Sequence, residues 1–134
     1  MKYSKLILCK RDYDLLRTIL KSWNLNNELS KVNYYALSYE LQKAEIVEVE
    51  SVPNDVVRLN SFVNIETPFG ILENYELVVP AERSPTDKKL SLSSPLGSAI
   101  IGYAIGDEIK WHFPVGERTI KILDVKNIEL AKSV

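Results

Sequence analysis

Leu90–Gly106 reads LSLSSPLGSAIIGYAIG, and the parsing of these seventeen residues decides the fold. Ser94 predicts an N-cap, because its hydroxyl can accept a hydrogen bond from a first-turn backbone N–H that has no partner inside the helix. Pro95 suits the first helical position, where no donor is needed and φ is already helical. Leu96, Ala99 and Ile100 recur at one-turn spacing and make one side of a short helix apolar. Gly102 and Gly106 supply stops at which the backbone can take positive φ. A strand end therefore leads into a short helix, and Asp107-Glu108-Ile109 opens the next strand.

Downstream, Asp107–Phe113 alternates cleanly. Ile109, Trp111 and Phe113 point to a core, while Glu108, Lys110 and His112 point to solvent. Pro114–Glu117 reads as a hairpin turn. Thr119–Val125 carries apolar residues on both parities, the pattern of a strand covered on two faces. Lys126–Val134 is a tail expected to fray. Upstream, the chain reads as strands from Asp55, with Val57, Leu59 and Ser61 on one parity and a bend near Asn60. Pro68-Phe69-Gly70 marks a turn and Ile71–Val79 the following strand. Pro80–Lys89, with two prolines and several charges, is a loop.

The first fifty residues have a different rhythm. Leu15, Leu16, Ile19, Leu20 and Trp23 have helical periodicity, with Asp12 and Asp14 in the first turn and Lys21 in the last, as the helix dipole prefers. This first helix has about thirteen residues, or ~20 Å at 1.5 Å per residue. Asn24-Leu25-Asn26-Asn27 is a break. A second helix is expected from about Glu28 to Ile46, with Leu29, Val32, Ala36, Tyr39 and Lys43 as its apolar stripe and Leu37, Leu41 and Ala44 widening it. Two helices joined so briefly pair antiparallel. Val47–Pro53 is the boundary, its acidic run of Glu45, Glu48 and Glu50 reading as solvated linker charge.

Composition narrows the function classes. The 134 residues are 46% hydrophobic and 26% charged with a net charge of −1, so no broad electrostatic grip on nucleic acid is indicated and a protein partner is the better expectation. Cys9 stands alone, which excludes an intrachain disulfide and reads as a small core residue. No apolar run approaches the ~20 residues that span a bilayer, and Leu6-Ile7-Leu8 is too short for a signal-peptide core. A cytoplasmic location is expected. His112 is the only histidine, and no Walker A loop, GxGxxG or Cys/His metal spacing occurs. No catalytic residues, metal site or cofactor are therefore expected. Tyr34, Tyr35 and Tyr39 suit helix packing, with base stacking as the alternative.

The order of residue types says more than periodicity. Ser91, Ser94-Pro95-Leu96-Gly97, Ala99-Ile100-Ile101 and Gly106-Asp107 resemble the C-terminal signature of the GreA/GreB transcript-cleavage factors. Pro114-Val115-Gly116-Glu117-Arg118-Thr119 resembles the hairpin that follows it in that family. Val52-Pro53-Asn54-Asp55-Val56-Val57 and Leu59-Asn60-Ser61 resemble the opening of the same domain in the small Rnk-like members, regulators of nucleoside diphosphate kinase. The resemblance covers roughly residues 50–127 well and the first fifty in outline.

This resemblance implies an α+β fold. Residues 1–50 would form a short, coiled-coil-like antiparallel helical hairpin, and residues 51–134 an FKBP-like antiparallel sheet crossed by one short helix. It implies a regulator that binds bacterial RNA polymerase at the largest-subunit rim of the secondary channel, with neither sequence-specific nucleic-acid binding nor membrane association. Docking contacts in the family involve the Ser-Pro loop, which here is Ser93, Ser94 and Pro95. Cleavage-active members carry acids at the tip of a far longer hairpin, where they help hold a second magnesium ion at the polymerase's own active site. The matching tip here is Asn24, Asn26, Asn27 and Glu28, with a single carboxylate. The expected function is therefore polymerase binding without stimulation of cleavage, not an enzymatic activity of its own. A GreA/GreB-type cleavage factor is the alternative. A second alternative, FKBP-like peptidyl-prolyl isomerase, would need Trp111, Phe113, Tyr75 and Phe69 to line a proline pocket.

Overall fold

In the computed structural model, which describes residues 1–82 and 84–127, the chain runs β1 (Ile7–Cys9), α1 (Lys10–Lys21), α2 (Glu28–Gln42), β2 (Glu45–Val47), β3 (Phe62–Thr67), β4 (Gly70–Val78), β5 (Lys89–Ser91), α3 (Pro95–Ile100), β6 (Glu108–Phe113) and β7 (Gly116–Lys126). This is the expected α+β class, with a helical hairpin ahead of a five-stranded sheet crossed by one short helix. The sheet order is β5-β4-β3-β7-β6. Three of its four pairings are antiparallel, but β4 and β5 run parallel, which corrects the expectation of an entirely antiparallel sheet. Short 3-10 turns at Pro80–Glu82 and Pro85–Asp87 bring the chain back so that β5 enters in the direction of β4.

Two β-bulges flank Asn64 and curl the sheet. Against β7, Asn64 faces Asp124 and Ile65 faces Ile122, so Leu123 is the extra residue. Against β4, Val63 faces Tyr75 and Ile65 faces Leu72, an extra residue on β4 where Asn74 takes φ 58°. The Asn74 N–H donates to Asn64 Oδ1 at 2.7 Å. The apolar residues on both parities of β7 therefore do not mark two covered faces. Ile120 and Ile122 are buried, the bulge flips the parity, and Val125 is buried in turn while Leu123 stays exposed.

Other boundaries move as well. Val56 and Val57 are both fully buried, but Val56 makes only an isolated antiparallel bridge to Ala104, Val57 lies outside regular structure, and regular strand begins only at Phe62. The bend expected near Asn60 is there, with φ 71°. Helix α2 ends at Gln42, not Ile46, because Glu45–Val47 pairs in parallel with β1 and gains inter-strand hydrogen bonds there. Its buried residues are Asn33, Leu37 and Leu41, whereas Val32, Tyr35 and Tyr39 of the expected stripe and packing set are exposed. The cause is Asn33. Its amide nitrogen donates to the His112 carbonyl at 2.9 Å and its oxygen accepts from the His112 N–H at 3.1 Å. The side chain thus completes the outer edge of β6 and turns that face of α2 inward.

One hydrophobic core joins both parts of the chain. Leu6, Leu8, Leu16, Leu20, Leu37 and Leu41 share it with Val57, Ile65, Leu77, Ile100, Trp111 and Ile122. The change in sequence character near residue 50 is therefore not a break in packing. Burying a leucine side chain is worth about 1.5–3 kcal/mol, so the six N-terminal leucines are a major part of the core. Cys9 belongs to a smaller cluster with Ile7, Val52, Val56 and Ala104, and burial pushes its thiol pKa up, as suits a core residue. Among the described residues no helix is long and apolar enough to cross a membrane. Of the tail expected to fray, residues 128–134 lie outside the described residues.

Asp12 is the polar tie across this junction. It is fully buried, Oδ2 accepts from the Leu59 N–H at 3.0 Å, and Oδ1 accepts from Arg11 Nε at 3.1 Å. Asp12→Ala leaves a buried amide unpaired and is expected to cost about 1–3 kcal/mol in urea unfolding. Asp14→Ala removes only an exposed pair with Lys10 and is expected to stay within about 0.5 kcal/mol. Equal costs would show that the Leu59 contact contributes nothing.

Candidate functional site

The Ser93-Ser94-Pro95 loop is built by its neighbours in sequence. Leu92 donates its N–H to Val78 O at 2.8 Å, which ends β5 against β4. The Ser94 N–H donates to Ser91 O at 3.0 Å and the Ser94 hydroxyl to the same carbonyl at 2.6 Å. Ser94 Oγ in turn accepts from the Gly97 N–H at 3.1 Å, the expected N-cap, with Pro95 opening the helix. The Ser91 and Ser93 hydroxyls lie 2.7 Å apart, and the Ser93 N–H donates to Ser91 Oγ at 3.0 Å. Ser98 is buried, and its hydroxyl donates to Leu92 O at 2.7 Å.

This network leaves Ser93 and Pro95 exposed and Ser94 half-buried. The Ser93 side chain and the Pro95 ring therefore present a small, uncharged, rigid surface. Local sequence found the cap. It did not single out Gly97, whose backbone passes so close to Ser91 that an added Cβ would stand 2.1 Å from the Ser91 carbonyl oxygen. The signal was present as a glycine at the third position of a capped helix, where propensity alone would favour another residue.

The hairpin tip is a second, separate feature. Asn24 Oδ1 accepts from the Asn26 N–H at 2.8 Å, a local turn, and Asn27 Oδ1 caps α2 by accepting from the Ser30 N–H at 2.8 Å. Two of the three asparagines thus serve backbone geometry. Asn24, Asn26, Asn27 and Glu28 are all exposed, and Glu28 Oε1 lies 3.7 Å from Lys31 Nζ. Trp23 closes the turn, its indole N–H donating to Ser30 O at 3.1 Å. Among the described residues no cluster of three or more His, Cys, Asp or Glu is placed to hold a metal ion. No hydrogen bond or ion pair joins the loop to the tip among the described residues. The loop follows β5, whereas α2 is anchored on β6, the opposite edge strand.

The four rings weighed for a proline pocket are also dispersed in role. Trp111 is buried in the core and Tyr75 packs partly against it. Phe69 is exposed and meets Phe113 edge-on at 5.5 Å. His112 keeps its side chain partly exposed, with Nε2 3.6 Å from Glu117 Oε2.

Two substitutions separate cap from close approach. Ser94→Ala is expected to lower stability by about 1 kcal/mol through loss of the cap. Gly97→Ala is expected to cost clearly more, because the clash is with backbone and cannot be relieved by a rotamer. Urea midpoints for the two variants check this, and a Gly97→Ala protein as stable as wild type would contradict the close approach.

Comparison with known proteins places this geometry. The family "Transcription elongation factor, GreA/GreB, C-term" matches residues 52–127, which include the loop, α3 and the whole five-stranded sheet. GreA of Syntrophus aciditrophicus is 34% identical over 90 residues, 66% of this chain and 56% of its own length. The regulator of nucleoside diphosphate kinase of Escherichia coli strain K12 is 34% identical over 93 residues, 68% of each chain. The match to that GreA thus spans little more than half of the relative. A GreA/GreB elongation factor structure from Nitrosomonas europaea superimposes with a TM-score of 0.64 at 30% identity, covering 92% of this chain and 98% of its own. On a family match that holds more than half of its residues, the chain belongs to the GreA/GreB transcription elongation factor family, through the C-terminal domain that carries the serine-proline loop.

Proposed function

We propose that the protein is an RNA polymerase-binding transcription regulator of the Gre/Rnk type, acting in the bacterial cytoplasm. In this reading residues 51–134 dock on the largest-subunit rim of the secondary channel through Ser93, Ser94 and Pro95. Residues 1–50 point the hairpin inward, and transcript cleavage is not stimulated. The relatives named as elongation factors and as a regulator of nucleoside diphosphate kinase support the class.

The observation that carries the no-cleavage reading is the hairpin itself. Helix α1 has 12 residues, about 18 Å at 1.5 Å per residue. A short hairpin held against the sheet by Asn33 and the core leucines has little reach beyond the body of the protein. Its tip offers one carboxylate, Glu28, beside a lysine, and amide oxygens are weaker ligands for magnesium than carboxylates. A factor that lends metal ligands to a polymerase needs both reach and acids. The isomerase reading has less behind it, since Trp111 is committed to the core.

Two experiments test the proposal. In a pull-down with purified core RNA polymerase, Ser93→Ala with Pro95→Ala is expected to weaken capture several-fold while the fold is kept, because neither exposed side chain supports the core. Undiminished capture by the folded variant would remove the docking role. With a stalled elongation complex and labelled RNA, the protein alone is expected to yield no shortened transcript, and in excess it is expected to slow cleavage by an active Gre factor. Asn24→Asp with Asn27→Asp is expected to leave that result unchanged, since added acids do not lengthen the hairpin. Cleavage by the wild-type protein would overturn the reading.

A further inference from the structure

The two N-terminal helices do not close on each other along their length. On α1, Tyr13, Arg17 and Lys21 follow one another at four-residue spacing, which stacks them on one face. On α2, Tyr34, Ser38 and Gln42 do the same. These two ladders line opposite walls of one cleft of about 400 Å³, with Leu20 and Leu41 beneath them. In an antiparallel pair the middle rungs, Arg17 and Ser38, come opposite one another. A small serine where a leucine would zip the helices together leaves the gap open. The volume lies in the range of small-ligand clefts, about 300–1,000 Å³.

The charges in this cleft are unbalanced. Lys10, Arg11, Lys31 and Lys43 each have a carboxylate within 4.0 Å. Arg17 and Lys21 have none among the described residues, and no Asp or Glu lines the cleft. The Arg17 guanidinium is held 5.7 Å from the Tyr13 ring centroid. That contact pre-orients a planar fork of donors suited to phosphate oxygens. Across the cleft, Tyr34 is braced edge-on by Tyr35 at 5.3 Å and 86°. A fixed ring of this kind offers a stacking face to a planar base. The Ser38 hydroxyl, one turn from Tyr34, supplies a donor and an acceptor for the polar edge of such a base.

We propose that the α1–α2 cleft binds a small phosphorylated nucleoside, its phosphates on Arg17 and Lys21 and its base against Tyr34. The ring and the apolar floor favour a nucleotide over bare phosphate, and the unpaired cations favour it over a neutral nucleoside. The site requires no polymerase, so its fate is independent of the docking reading above.

Calorimetric titration of the full chain with ADP or GDP, beside adenosine, guanosine and pyrophosphate, tests this directly. Saturable one-site binding of a nucleoside diphosphate is expected, with nucleoside and pyrophosphate each at least about tenfold weaker. Arg17→Gln combined with Lys21→Gln removes the charges at exposed positions, and Ser38→Leu fills the gap. Each is expected to weaken nucleotide binding at least about tenfold with the thermal melt of the double variant unchanged. The exposed glutamines keep the test valid even where leucine at position 38 disturbs the helix pair. Absence of saturable nucleotide binding overturns the proposal. So does pyrophosphate binding as tightly as the nucleotide, or a double variant that binds like wild type.

Discussion

Gly102 is the point on which three segments of this protein close. Its N–H donates to Val57 O at 2.9 Å, and its carbonyl accepts from the Ile7 N–H at 3.2 Å. Its Cα lies against Leu6 and Leu8, so that a Cβ there would come within 3.1 Å of both side chains, and its φ of +86° is a conformation that other residues rarely adopt. The first strand, the turn leading into the sheet and the end of α3 are locked together by one residue without a side chain. This junction lets the N-terminal helices share the core of the sheet.

How much of this was legible in the sequence depended on whether the deciding partner was near in the chain. Ser94 and Pro95 announced α3 because a cap is settled within three residues. Gly102 and Gly106 announced stops, and both take positive φ. Helix α2 is legible only in part, because its buried face also carries Asn33, whose partner His112 lies 79 residues away. Periodicity reaches Leu37 and Leu41, which are buried, but a polar residue at the centre of that stripe lowers an apolar count, so the same periodicity also brings in Val32 and Tyr39, which are exposed. Strand β7 was misread for a similar reason. A bulge at Leu123 and a strand covered on two faces leave the same alternation broken at the same place, and only the register with β3 tells them apart.

The site divides along the same line. Ser94 and Pro95 are legible as a helix start because their geometry is local, whereas Ser93 enters only through the family resemblance, and the loop is held from below by Ser91 and Gly97. The tip asparagines were legible as turn formers, and turn formation and capping are what two of them do. The cleft between the helices was not found. Its two ladders are plain at four-residue spacing, and Tyr34 packs against the core as expected while also lining the cleft, but a cleft exists only where a small residue faces a long one across two helices. That pairing depends on the turn between them, which Trp23 closes onto Ser30.

The hairpin's attachment also bears on how the family's parts can work here. A hairpin joined to the sheet by a flexible linker would sample many directions once the sheet domain had docked. This one is tied at Asn33 to β6, at Asp12 to Leu59, and through four leucines to the common core. Breaking any one of these ties exposes an apolar or unpaired polar group, at about 1–3 kcal/mol each. Tip, cleft and serine-proline loop are therefore held at set positions on one body, the loop after β5 and the hairpin against β6. Any surface that grips the loop fixes by the same contact where the tip and the cleft lie. In such a body, reach comes from helix length alone, and twelve residues of α1 set its limit.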